Sequence, residues 1–119
     1  ASLCWKTIII MKQDRRKFVK KLDFLTTAGY LTGVGKRESL GLPRGTGPYR
    51  VVTQLGIYGF DSDCRLLLLE KYPNVSVEEI LQNSEFQIRV SRNLKTTKEP
   101  TKDELETLRS LDPYKIVLE

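Results

Sequence analysis

A chain of 119 residues, 39% of them hydrophobic, has the size of one globular domain that can bury roughly two thirds of its unfolded surface. Twenty Lys/Arg against fifteen Asp/Glu make it mildly basic, with a formal net charge of +5. It has no histidine, which removes Ser–His and Cys–His nucleophile pairs, and no apolar run approaches the roughly twenty residues of a membrane span.

Thr7–Met11 opens the pattern with a continuous isoleucine-rich run, the signature of a strand buried on both faces. Lys12–Lys21 is a polar connection with room for one helical turn, and Leu22–Thr26 reads as a short second strand. A loop follows in which Gly29, Gly33, Gly35, Gly41, Gly45 and Gly47 crowd together, so its backbone needs angles that other residues reach only with strain. So long a loop in a compact domain is functional or disordered. Beyond it, Val51, Thr53, Leu55 and Ile57 alternate with Val52, Gln54, Gly56 and Tyr58, which predicts a half-exposed strand. Phe60-Asp61-Ser62-Asp63-Cys64 is turn chemistry, because short Asp and Ser side chains bond their own backbone. Arg65–Tyr72 returns as a strand whose Leu66–Leu69 run predicts full burial, and the two strands make a β-hairpin.

Ser76 and Glu79 have the spacing of a capping box, which starts a helix over about Val77–Asn83 with Val77, Ile80 and Leu81 on its apolar face. Phe86, Ile88 and Val90 alternate with Gln87 and Arg89 as another half-buried strand. Thr101 and Glu104 repeat the capping box after Pro100, starting a second helix over about Lys102–Ser110 that Asp112-Pro113 ends. The expected fold is a single α/β domain over residues 1–119: a mixed open sheet with a β-hairpin and two short C-terminal helices.

Charge is uneven: residues 1–59 carry eleven Lys/Arg against three Asp/Glu, and residues 60–119 carry nine against twelve. Lys12, Arg15, Arg16, Lys17, Lys20 and Lys21 form the basic stretch. It lacks interleaved aromatics suited to base stacking, so nucleic acid is set aside. A solvated face and a surface for an anionic partner both remain open. Cys4 and Cys64 lack metal-ligand spacing, and no metal site is expected. Two reduced, mostly buried thiols in a cytoplasmic protein are the reading, with a disulfide or a reactive thiol as alternatives. No secretory signal or membrane segment is read in the chain.

Several of these pieces stand in a telling order. Thr7-Ile8-Ile9-Ile10-Met11 leads to Phe18-Val19-x-Lys21-Leu22-Asp23-Phe24, then to Gly29-Tyr30-Leu31-x-Gly33 and Gly41-Leu42-Pro43. Val51-Val52-Thr53-x-Leu55-Gly56, Tyr72-Pro73-x-Val75-x-Val77-Glu78-Glu79-Ile80 and Leu111-Asp112-Pro113 complete the series. Over nearly the whole chain it resembles the C-terminal half of a family I coenzyme A transferase beta subunit, of the glutaconate CoA-transferase type. Ala28 departs from the pattern, where that family often carries proline.

The resemblance implies the open α/β sheet that these transferases share with sugar-phosphate isomerases. It implies CoA as a substrate, no covalently bound cofactor, and an alpha subunit as partner in an oligomer. It also implies a nucleophilic glutamate and a Gly-x-Gly-Gly loop in an N-terminal half that precedes Thr7. The chain opens on Ala1-Ser2-Leu3-Cys4 with neither, so it is expected to be a fragment, inactive alone, and no catalytic residue is assigned within it. Thr27, Gly29, Tyr30 and Gly33 are the residues that the resemblance would offer to an acyl or pantetheine channel; a purely structural loop is the alternative. Asp14, Asp23 and Glu38 are carboxylates near that loop whose spacing marks none as a nucleophile. A ring-opening hydrolase of the same fold and a non-enzymatic partner-binding scaffold are the competing functions. Without the elements before it, the isoleucine strand is expected to be partly uncovered and the chain to self-associate.

Overall fold

A computed structural model describes residues 2–116; Ala1, on which the expectation about the chain's opening leaned, and residues 117–119 lie outside the described residues. Five strands form one mixed sheet in sequence order: β1 (Thr7–Ile10), β2 (Pro48–Val52), β3 (Gly56–Phe60), β4 (Leu66–Lys71) and β5 (Arg89–Thr96). β2, β3 and β4 run as an antiparallel meander, with β1 parallel to β2 at one edge and β5 parallel to β4 at the other. The mixed sheet, the β3–β4 hairpin and the two C-terminal helices agree with the expected fold.

The alternation through Val51–Tyr58 is two strands rather than one. Leu55 N–H (3.1 Å) and Gly56 N–H (3.2 Å) donate to the Thr53 hydroxyl oxygen, and Thr53 N–H donates to the Gly56 carbonyl (3.0 Å). This folds Thr53–Leu55 into a tight turn that the alternating sequence does not betray, and it exchanges the faces: Tyr58, not Ile57, joins Val51 and Leu55 in the core. Gly56 leaves the turn where a Cβ would stand 2.5 Å from the Glu70 carbonyl oxygen, a space that only glycine fits.

The core lies on one face of the sheet: Phe18, Val51, Leu55, Tyr58, Leu68, Ile80 and Ile88. Of the leucine run only Leu68 is fully buried; Leu67 and Leu69 are half-buried because successive residues of a strand point to opposite faces, and Leu66, on the core face, packs half-buried at its margin. Gln13 sits inside this core, 1% exposed. Its amide donates to the Ile80 carbonyl (3.0 Å) and its Oε1 accepts from the Tyr58 and Thr53 hydroxyls. Burial pushes the Tyr58 phenol up to about 12. Gln13 and Gln54 also trade backbone bonds, Gln13 N–H to Gln54 Oε1 (2.7 Å) and Gln54 Nε2 to the Gln13 carbonyl (2.8 Å).

The opposite face carries Ile8, Ile10, Val52 and Ile57 by register, with Ile8 59% and Ile10 82% exposed. The expected two-sided burial of Thr7–Met11 is therefore not met here: β1 is an edge strand with only one face against the core. Leu22–Thr26 is not a strand either. It finds no strand to pair with, and Leu22, Phe24 and Leu25 are all more than half exposed.

β5 begins later than expected, at Arg89, and runs on to Thr96, while Phe86 and Ile88 pack into the core before it. Leu68 faces Val90 and Glu70 faces Lys95, so Ser91–Leu94 bulge opposite Leu69 alone. Among the described residues there are three helices, one more than expected. α1 (Lys36–Ser39) lies within the glycine loop, where glycine density hid it. α2 (Val77–Gln82) starts as Glu79 N–H donates to the Ser76 hydroxyl (3.1 Å), and α3 (Lys102–Leu111) has the full reciprocal capping box of Thr101 and Glu104.

Candidate functional site

The glycine loop is built around Arg37 of α1, a side chain only 3% exposed. Its Nη1 donates to the carbonyls of Ala28 (2.8 Å) and Gly29 (2.9 Å), and its Nη2 to the Ser2 carbonyl (2.7 Å) and the Thr46 hydroxyl (3.0 Å). One guanidinium thus ties three separated segments together through its planar fork. Gly47, at φ +126°, makes room for it: a Cβ there would stand 2.9 Å from Arg37 Nε. That Nε is buried and has no acceptor among the described residues.

Of the residues singled out in the sequence, Gly29, Tyr30 and Gly33 are drawn into this packed loop, while Thr27 stays exposed. Tyr30 donates its hydroxyl to the Pro48 carbonyl (2.6 Å) and meets Phe60 edge-on at 4.9 Å. Its burial raises the phenol above its ordinary range, with the Cys64 thiol adding to the shift. Gly33, also at φ +126°, closes on the β3–β4 turn, where a Cβ would lie 3.5 Å from the Asp63 carbonyl. The Arg37 Nη groups and the hydroxyls of Tyr30 and Thr46 are spent on the protein itself. They join the sheet at the end where β1 and β2 begin and β3 finishes.

The three nearby carboxylates do not converge. Asp14 Oδ1 accepts from the N–H groups of Arg16 (2.8 Å) and Lys17 (3.1 Å), shaping the polar turn before Phe18, and Asp23 and Glu38 are exposed. Asp61 does more. Its Oδ1 accepts from the N–H groups of Asp63 and Arg65 (both 2.9 Å) and its Oδ2 from Arg89 Nη1 (2.6 Å). The Arg65 N–H, more than any other partner, holds this carboxyl below the usual carboxylate range.

Cys4 and Cys64 are both free. Cys4 is exposed rather than buried, since its segment lies before the sheet, and Cys64 is half-buried at φ +60° in the hairpin turn. Burial, then the Asp61 carboxylate, push the Cys64 thiol up, the opposite of an activated nucleophile. Among the described residues no cluster of His, Cys, Asp or Glu is placed to hold a metal, and no helix is long and apolar enough to cross a membrane. Arg37 escapes detection in the sequence because an arginine amid glycines reads as solvated. Its one signal is the nearby Thr46-Gly47 pair, a hydroxyl and an empty Cβ position side by side.

No protein-family model matches the chain. It is 44% identical over 87 residues to the B subunit of glutaconate CoA-transferase from Acidaminococcus fermentans, covering 72% of this chain and 33% of that protein. It is 37% identical over 108 residues to the B subunit of 3-oxoadipate CoA-transferase from Pseudomonas knackmussii, covering 90% of this chain and 41% of that protein. The chain therefore spans well under half the length of these curated relatives. The crystal structure of the Acidaminococcus fermentans glutaconate coenzyme A-transferase superposes at a TM-score of 0.86 with 34% identity, over 96% of this chain and 44% of that one. The decarboxylase AibA/AibB superposes at 0.68 with 23% identity, over 92% of this chain and 39% of that one, a likeness of fold alone. In sequence and in fold, over the part of their length that it spans, the chain is a homologue of the beta subunits of coenzyme A transferases.

Proposed function

We propose that this chain is the C-terminal part of a coenzyme A transferase beta subunit, whose complete form moves CoA between an acyl-CoA and a carboxylic acid. The observation that carries the reading is the 44% identity to the glutaconate CoA-transferase relative, joined to a TM-score of 0.86 across 96% of the chain. In the mechanism that the resemblance implies, a glutamate carboxylate preceding this part of the protein attacks the donor thioester. The resulting anhydride releases the acid when CoA returns to the glutamyl carbonyl, and the acceptor acid exchanges through a second anhydride. Covalent catalysis of this kind divides one difficult exchange into easier steps. The chain's own contribution is a rigid wall: the Thr27–Gly35 loop, held by Arg37 and Tyr30, set beside the acyl or pantetheine channel where a companion alpha subunit meets it.

The chain alone is expected to be inert. Purified protein is incubated with glutaconyl-CoA, acetyl-CoA and succinyl-CoA and a panel of carboxylate acceptors, with and without an alpha subunit. Turnover by the isolated chain would sink the reading and direct a search for a nucleophile to Asp14, Asp23 and Glu38. Activity restored by adding the preceding half of a beta subunit together with an alpha subunit is the result expected.

A further inference from the structure

Arg37 is buried without a counter-ion. All of its acceptors are neutral: the carbonyls of Ala28, Gly29 and Ser2 and the hydroxyl of Thr46. Among the described residues no carboxylate stands within ion-pair distance of it. Such a cation is costly to desolvate, and an apolar side chain of similar volume would fill the space with less penalty. What the arginine supplies is geometry, because a planar fork fixes each acceptor relative to the others. Three of the acceptors belong to the glycine loop. The fourth, Ser2, stands 35 residues away in the sequence and belongs to the segment that leads into β1. That segment is otherwise turned to solvent, with Leu3 74% and Trp5 69% exposed. It is pinned at its two ends. Thr7 N–H donates to the Gly47 carbonyl (3.0 Å), and the Ser2 carbonyl accepts from Arg37 Nη2 (2.7 Å). Gly47 serves both pins, since a Cβ there would stand 2.9 Å from Arg37 Nε and 3.0 Å from its Cζ.

We infer that Arg37 is a positioning residue for the transfer reaction: through the Ser2 carbonyl it fixes, against the glycine loop, the segment that enters β1 from the preceding half of the subunit. The inference rests on the CoA-transferase reading, in which the attacking carboxylate precedes this part of the protein and the loop walls the channel. A carboxylate and a wall supplied by different stretches of one chain must be held in register if the carboxylate is to meet the thioester carbonyl at a productive angle. Arg37 touches neither the thioester nor the acid and acts only through what it holds. The same two nitrogens bind the loop carbonyls and the Ser2 carbonyl, so the loop and the entering segment keep one spacing. Losing that spacing disturbs the approach of the reacting groups more than the binding of substrate. The loss therefore falls on kcat rather than on KM.

The test sets Arg37→Lys, which keeps the charge and loses the fork, and Arg37→Leu beside Leu68→Ala, which weakens the core and leaves the fork alone. In this chain, NMR relaxation is expected to give the amides of Leu3, Cys4 and Trp5 order parameters near those of rigid backbone, about 0.85. In both Arg37 variants they are expected to fall below about 0.6, and in Leu68→Ala to stay at the parent's values. In the complete beta subunit assembled with its alpha subunit, both Arg37 variants are expected to lower kcat at least about tenfold. The KM for the acyl-CoA donor is expected to change by less than about twofold. Leu68→Ala is expected to keep the parent's kcat per assembled enzyme, whereas a merely structural role would make the Arg37 variants behave as it does. Amide dispersion checks the fold of each variant, and Arg37→Lys is the milder change should Arg37→Leu not assemble. Unchanged order parameters, an unchanged kcat, or a KM that rises while kcat holds would overturn the inference. A parent enzyme that transfers no CoA overturns the transferase reading and this one with it. A parent that transfers CoA, with Arg37→Lys doing so at the same rate, overturns this one alone.

Discussion

The two faces of the sheet are made of much the same residues and end in opposite conditions. One gathers Val51, Tyr58 and Leu68 under Phe18, Ile80 and Ile88 and seals even a glutamine inside. The other carries Ile8, Ile10, Val52 and Ile57, and its edge strand leaves Ile8 and Ile10 largely in solvent. Hydrophobicity therefore does not decide burial in this chain. Burial follows from whether another element arrives to cover the strand, and only on the closed face does one arrive within the described residues.

The sharpest way to break this contrast is Leu68→Ala. Leu68 is 0% exposed at the centre of the closed face, so its truncation is expected to cost about 3 kcal/mol in denaturant unfolding. Arg37→Leu comes next. It removes the donors to Ala28, Gly29 and Ser2 together, and a loss of about 2 kcal/mol is expected, with faster hydrogen exchange across residues 27–35. An unchanged stability would mean that the loop holds its shape without the clamp.

Tyr58→Phe is a smaller change, about 1 kcal/mol at neutral pH, since Gln13 keeps its bond from Thr53. Its larger signature is in alkali. An unfolded tyrosine titrates near 10, while in the fold burial carries Tyr58 to about 12. Between those values the unfolded chain gives up the proton and the folded chain keeps it. The contribution of Tyr58 is thus fully present below pH 10 and is lost as pH rises toward 12. Equilibrium unfolding from pH 9 to 12 is expected to show a shallower decline for Tyr58→Phe than for the parent.

The smallest effect on stability is expected at the open face. Ile10→Ser should change it by no more than about 0.5 kcal/mol, the usual range for an exposed position. Its effect should appear instead in association. We expect the parent chain to scatter light as an oligomer at micromolar concentration through this exposed edge, and Ile10→Ser to shift it toward monomer. A parent chain that is monomeric and binds no apolar dye would remove the functional meaning of the open face.

What could be read in the sequence was whatever short-range chemistry decides. The Thr101–Glu104 box and the Asp61 turn are settled by side chains bonding backbone within four residues, and both stand where their residues put them. The Ser76 cap is equally local. The errors arose where the outcome depends on distant partners. Leu22–Thr26 has strand composition but no neighbour to pair with, and β1 has core composition but only one covered face. The Thr53 turn is hidden for a subtler reason: the sequence alternates straight through it, while the turn exchanges the faces, so that Val51 shares the core face with Tyr58 and Val52 the open face with Ile57. The glycine loop was legible as unusual, whereas its organiser was not. Arg37 becomes structural only once Ala28, Thr46 and Ser2 have been brought around it, which no window of sequence displays.

The parallel pairing of β1 with β2 has a temporal side. Thirty-seven residues separate Ile10 from Pro48, whereas the β2–β3–β4 meander closes through short turns. Hairpins form in microseconds, so the meander has a fast local route, while β1 waits for a long loop to close around glycines that resist ordering. On the ribosome the delay is greater. At ordinary elongation rates the isoleucine strand emerges roughly two to seven seconds before its partner exists. Of the described strands, β1 waits longest for the neighbour that pairs with it, and in that interval its safety rests on whatever nascent chain or chaperone meets it.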